Sequence, residues 1–132
     1  MQDKFRQSNP FWQWMGFEID DEAASAGRAV VTVAVRPELL QHQGLVHGGV
    51  LSALIDSAGA WAFALSHGEA VRTINLAVQY LSPATPQTSR LVAQAQVVRA
   101  GGRVVIAEAA VSDESGQALA RGQVIYSRVR RR

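Results

Sequence analysis

The chain has 132 residues, 48% of them apolar, no cysteine and a formal charge of +2. This length fits a single domain over residues 1–132, and the apolar content suffices for a packed core without metals or cross-links. The absence of cysteine excludes a thiol nucleophile, a cysteine-based zinc site and a disulfide framework, and it gives no support to secretion.

In chain order, Met1-Gln2-Asp3-Lys4-Phe5-Arg6 leads into aromatic residues and proline rather than an apolar run. No signal peptide is expected, and a cytoplasmic location is the default. Asn9-Pro10 sets an N-cap residue before a proline at the first helical position, which predicts a short helix over Phe11-Trp12-Gln13-Trp14-Met15. Its aromatic side chains suit either a plug in the core or a lid over an apolar ligand. Residues 17–20 and 27–35 predict strands, the second placing Ala29, Val31, Val33 and Val35 on one face. Pro37 stops that strand, and residues 41–46 form the loop that delivers the chain to its longest apolar stretch.

That stretch, from His47-Gly48-Gly49 to Ser66, is rich in Ala and Leu, lacks proline and meets Gly68 at its end, so it predicts one long helix. Val50, Leu51, Leu54, Ile55, Ala58, Trp61, Ala62, Phe63 and Leu65 cover most of its circumference, the pattern of a helix buried nearly all round. Gly48, Ser52, Asp56 and Ser57 argue against a bilayer span, and no membrane partner is expected. Asp56 is out of place in such a helix: it either reaches a solvated edge, caps a neighbouring segment or does chemistry. A Gly-Gly entry lets a ligand approach the main chain where the first helical N–H groups lack partners, which makes either an oxyanion site or a tight turn. Gly48 and Asp56 are eight residues apart, about 12 Å along a helix at ~1.5 Å per residue, too far for both to touch one carbonyl. If both act on one substrate, they come from two copies of the helix, and the site is shared across a twofold dimer.

Four further strands are expected over residues 73–81, 90–99, 103–112 and 118–129, with turns at Ala100-Gly101-Gly102 and Asp113-Glu114-Ser115-Gly116. In the first of them Ile74, Leu76, Val78 and Tyr80 share one face and Thr73, Asn75, Ala77 and Gln79 the other. The sum is an α+β arrangement, an antiparallel sheet of about six strands wrapped around one long central helix. Lys4 is the single lysine among thirteen basic residues, and an arginine bias is compatible with a phosphorylated ligand. Arg128, Arg130, Arg131 and Arg132 read either as a solvated tail or as phosphate contacts; no basic helix accompanies them, and no nucleic-acid partner is expected.

The segment from His47-Gly48-Gly49-Val50 to Asp56, followed by Thr73-Ile74-Asn75-Leu76-Ala77-Val78-Gln79-Tyr80-Leu81-Ser82-Pro83, resembles the hotdog-fold acyl-CoA thioesterases of the PaaI type, in the 4-hydroxybenzoyl-CoA thioesterase superfamily. The resemblance covers nearly the whole chain. It implies a hydrolase in which the Gly48 N–H polarises the thioester oxygen and Asp56 is general base or nucleophile. It further implies that Gln41, seven residues before Gly48, places water or carbonyl, and that Thr73 orients the water. His47 and Gly49 belong to the binding loop, with His47 mainly bracing it; Asn75, Arg99 and Arg103 are the substrate and coenzyme A contacts the resemblance suggests, with Arg72 and Arg90 as further basic candidates. No cofactor is implied, since coenzyme A is part of the substrate, and His42 and His67 have no partners at metal spacing. A homo-oligomer is expected, a dimer at least, with a tetramer the frequent arrangement in similar proteins. Two alternatives stay open: a hotdog dehydratase or hydratase, which needs His47 to carry a proton, and a non-catalytic acyl-CoA sensor. Trp61 and Phe63, with Trp12 and Trp14, suit an aryl acyl group, and apolar walls suit medium-chain acyl groups equally.

Overall fold

The computed structural model describes residues 8–129; Met1 to Arg6 and the arginines at 130, 131 and 132 lie outside the described residues. The Asn9 side chain accepts a hydrogen bond from the Trp12 amide and opens helix α1 (Pro10–Met15). The Arg36 guanidinium closes the other end of α1, donating to the carbonyls of Trp14 (2.8 Å) and Met15 (2.6 Å). Strands β1 (Glu18–Ile19) and β2 (Arg28–Ala34) follow, and Pro37 begins a short 3-10 turn over Pro37–Leu39. Helix α2 (Gly48–His67) ends at Gly68, whose left-handed backbone sends its N–H to the Ala64 carbonyl. The chain then runs through β3 (Val71–Tyr80), β4 (Arg90–Arg99), β5 (Val104–Asp113) and β6 (Ala118–Arg128).

All pairings are antiparallel, in the order β1-β2-β4-β5-β6-β3, so β3 crosses to the far edge beside β6. The inward faces of the strands cover α2. Ala93, Ala95, Ala107 and Ala109 keep the middle of the sheet shallow, so Leu54, Ile55, Ala58, Trp61, Ala62 and Phe63 lie close against it. At Gly59 an added Cβ would overlap the Tyr126 hydroxyl, so this close approach needs glycine.

Two expectations change. The helix is not buried all round: Ser52, Ala53, Asp56, Ser57, Ala60 and Ala64 form a half-buried stripe that the sheet only borders, along strand β3. Its small side chains had masked the amphipathicity, since alanine counts as apolar wherever it sits. The aromatic cluster also divides. Trp12 is a core plug, 4% exposed, and donates from Nε1 to the Ser57 hydroxyl (3.0 Å), whereas Trp14 is 79% exposed. Trp12→Ala is therefore expected to cost ~3–5 kcal/mol in denaturant unfolding. Trp14→Ala should stay within ~0.5 kcal/mol; equal losses would show that α1 is not anchored as described.

Candidate active site

The loop before α2 is held by backbone bonds from Val46 N–H to the Ala84 carbonyl (2.8 Å) and from His47 N–H to the Leu39 carbonyl (2.8 Å). His47 is the N-cap of α2: its Nδ1 accepts from the Gly49 N–H at 2.8 Å. That bond requires an unsubstituted residue 49, because a Cβ there would lie 2.9 Å from the same nitrogen. The Val50 amide turns to the His47 carbonyl (2.9 Å). Among the described residues nothing accepts from the Gly48 N–H. One amide at the positive end of a long helix is thus left for an external acceptor.

Gly48 lines a cavity of about 290 Å³ with Gln41, Leu45, Leu51, Tyr80 and Pro83. The Gln41 side chain is turned onto Gln43, donating from Nε2 to its Oε1 (3.0 Å) and accepting from its amide. Tyr80 was not singled out in the sequence, where it reads as one more aromatic in an alternating strand. Its hydroxyl donates to the Gly48 carbonyl (3.2 Å) and shares a hydrogen bond with the Ser52 hydroxyl.

Two turns further along α2, Asp56 accepts from the Thr73 hydroxyl at 2.7 Å. This meeting depends on a bulge. Between Thr73 and Asn75 the register against β6 slips by one residue, so that Thr73 faces Tyr126 and Asn75 faces Ile125. The extra residue, Ile74, turns Thr73 onto the helix-facing side with Leu76, Val78 and Tyr80, contrary to the simple alternation read from the sequence. Asn75 stays on the opposite, exposed face, away from both Gly48 and Asp56. Behind Asp56, the Tyr126 hydroxyl donates to its main-chain carbonyl at 2.6 Å. Burial, and next the Asp56 carboxylate, push the Tyr126 phenol far above its ordinary range, so it remains a donor.

The remaining candidates sit apart from these two clusters. Arg99 and Arg103 flank the β4–β5 turn, at the end of the sheet where β3 begins. Arg128 is not part of a solvated tail: it donates to the Ala100 carbonyl (2.8 Å) and lies over the Phe63 ring, on which His67 also stacks. Trp61 and Phe63 are core residues between helix and sheet rather than walls of a cavity, which removes them as acyl contacts. Among the described residues no group of three or more His, Asp or Glu side chains is placed to hold a metal ion.

The structure thus holds two polar clusters on one helix, Gly48 with Gln41 at its start and Asp56 with Thr73 two turns on. Residues 43–120 match the family model of the thioesterase superfamily, and the chain belongs to that family, the thioester hydrolases of the hotdog fold. A provisionally named esterase of Halobacterium salinarum is 39% identical over 105 residues, which span 74% of this chain and 66% of that protein, just under two thirds of its length. The similarly named Rv1847 of Mycobacterium tuberculosis is 30% identical over 118 residues, 87% of this chain and 83% of the relative. Its solved structure superposes with a TM-score of 0.81 at 28% identity, covering 94% and 99% of the two chains. A variant of the phenylacetic acid degradation protein PaaI from Thermus thermophilus superposes with a TM-score of 0.80 at 28% identity, covering 92% of this chain and 100% of the other.

Proposed function

We propose that this protein hydrolyses an acyl-CoA thioester, aryl or medium-chain, to the free acid and coenzyme A, at a site made by two subunits. The observation that carries the reading is the division of the machinery along one helix: a Gly48 amide at its start with no acceptor among the described residues, and an Asp56–Thr73 pair two turns on.

In this reading the thioester carbonyl accepts from Gly48 of one protomer, with Gln41 beside it. Asp56 of the partner subunit takes a proton from water, the Thr73 of that subunit holds the geometry, and the water oxygen attacks the carbonyl carbon. Charge builds on the carbonyl oxygen against the helix N-terminus. The intermediate then collapses, the C–S bond breaks, and the thiolate of coenzyme A leaves and takes up a proton. In the alternative order the Asp56 carboxylate attacks first, and water hydrolyses the resulting anhydride. Neither order needs a metal or redox cofactor.

Strand β3 supports the dimer. It is an edge strand of ten residues with Ile74 58% and Tyr80 56% exposed, an apolar edge that invites pairing. Antiparallel pairing of β3 with the same strand of a second copy, about a twofold axis near the strand's middle, joins its Tyr80 end to the partner's Thr73 end. Tyr80 sits at Gly48 and Thr73 at Asp56, so that one operation completes both sites. Arg99 and Arg103 lie at the Thr73 end of the sheet, which supports reading them as contacts to the phosphates of coenzyme A. The dehydratase reading is less well supported, because the His47 Nδ1 is engaged in capping.

The test is thiol release from acetyl-, hexanoyl-, phenylacetyl- and hydroxybenzoyl-CoA. The likeness to a phenylacetic acid degradation protein supports the aryl members of that panel. Turnover of at least one ester is expected; binding without release from any would favour the sensor.

A further inference from the structure

Resting on the thioesterase reading, we propose that Tyr80 is a positioning residue: by holding the Gly48–Gly49 peptide through its carbonyl, it fixes the Gly48 Cα from which the preceding N–H is aimed at an oxyanion. Three observations converge on it. The Tyr80 ring lies against Gly48 so closely that a Cβ at residue 48 would come within 3.3 Å of Cε1 and 3.4 Å of Cζ. Its hydroxyl donates to the Gly48 carbonyl at 3.2 Å and is bonded to the Ser52 hydroxyl, one turn along the same helix. Its own main chain is fixed by the sheet: Tyr80 pairs with Ala120, and the next amide, Leu81 N–H, donates to the Leu119 carbonyl at 2.8 Å.

The first turn of a helix is where its backbone is least restrained, since its leading amides have no partners within the helix. The Tyr80 hydroxyl adds a restraint from outside the helix, on the carbonyl of the residue that carries the free N–H. A donor to a developing oxyanion is effective only if it is already aimed when the charge appears. Tyr80 supplies that aim without touching the reacting atoms, and a side chain at residue 48 would press on its ring. Its exposure, which looks wasteful for an aromatic in a strand, follows from its place at the mouth of the Gly48 cavity.

Tyr80→Phe keeps the ring and removes the hydroxyl. On whichever ester the wild type hydrolyses, kcat should fall about tenfold, the scale of one hydrogen bond's net contribution, with KM within about twofold. In amide NMR spectra of the unliganded protein the Gly48 resonance should shift, while that of Gly68 at the far end of the helix stays in place. A wild-type kcat together with an unmoved Gly48 resonance would overturn the proposal while leaving the thioesterase reading intact. A wild type that releases thiol from no ester would overturn the reading beneath it, whatever the spectra show.

Discussion

Asp56→Ala is expected to lower thiol release by about 10³-fold or more, in the range seen when an acid–base group or nucleophile is removed, while leaving the protein as stable as before or slightly more so. The two halves of this result have separate causes. Asp56 is half-buried in the open stripe of α2, and the hydrogen bond its carboxylate accepts is from the exposed Thr73 hydroxyl. Removing it leaves no buried group unpaired, and alanine has the higher helix propensity by up to ~0.7 kcal/mol. The Tyr126 bond is to the Asp56 main chain and survives the substitution. Steady-state assays beside denaturant unfolding check both halves. Near-normal turnover would remove Asp56 from the chemistry, and a large loss of stability would make it a structural residue.

Gly48→Pro is expected to lower kcat by ~10²–10³-fold, the usual cost of losing one oxyanion donor, with the helix retained. Proline lacks the N–H that matters here, and the first helical position tolerates it because that amide has no partner within the helix. The preceding residue already fits: His47 has φ −59° and ψ 134°, the extended backbone that a residue before proline prefers. Proline also adds a Cβ against Tyr80, so Gly48→Ala is the control that adds the same carbon and keeps the amide. A tenfold or greater gap in kcat between the alanine and proline variants assigns the effect to the N–H. Equal activities would assign it to crowding of Tyr80.

Much of this architecture was legible because its elements carry local signals. Asn9-Pro10 starts α1 and Gly68 ends α2 where expected, and β4 runs over Arg90–Arg99, up to the turn expected at Ala100-Gly101-Gly102. The helix boundaries also made the spacing argument possible, since Gly48 and Asp56 lie on one uninterrupted helix. What escaped the sequence depends on tertiary contact. Residues 73–80 alternate cleanly, and only pairing with β6 reveals that Ile74 is an inserted residue which turns Thr73 toward Asp56. Tyr80 stood out for nothing but its aromatic ring, because Gly48, thirty-two residues away, defines its role. Trp61 and Phe63 suggested an aryl site on chemistry alone, yet helix–sheet packing fully encloses them. Asn75 shared a predicted face with Thr73 and loses it at the same bulge.

The sharing of one site between two subunits is tested most directly by co-expressing Asp56→Ala and Gly48→Pro chains in equal amounts and assaying the mixed oligomer. A shared site needs Gly48 from one protomer and Asp56 from its partner, so random pairing leaves about one site in four with both groups intact. The account predicts about a quarter of wild-type thiol release from the mixture, against near-background rates from each variant alone. A mixture no more active than the separate variants would place both groups in one subunit and contradict it.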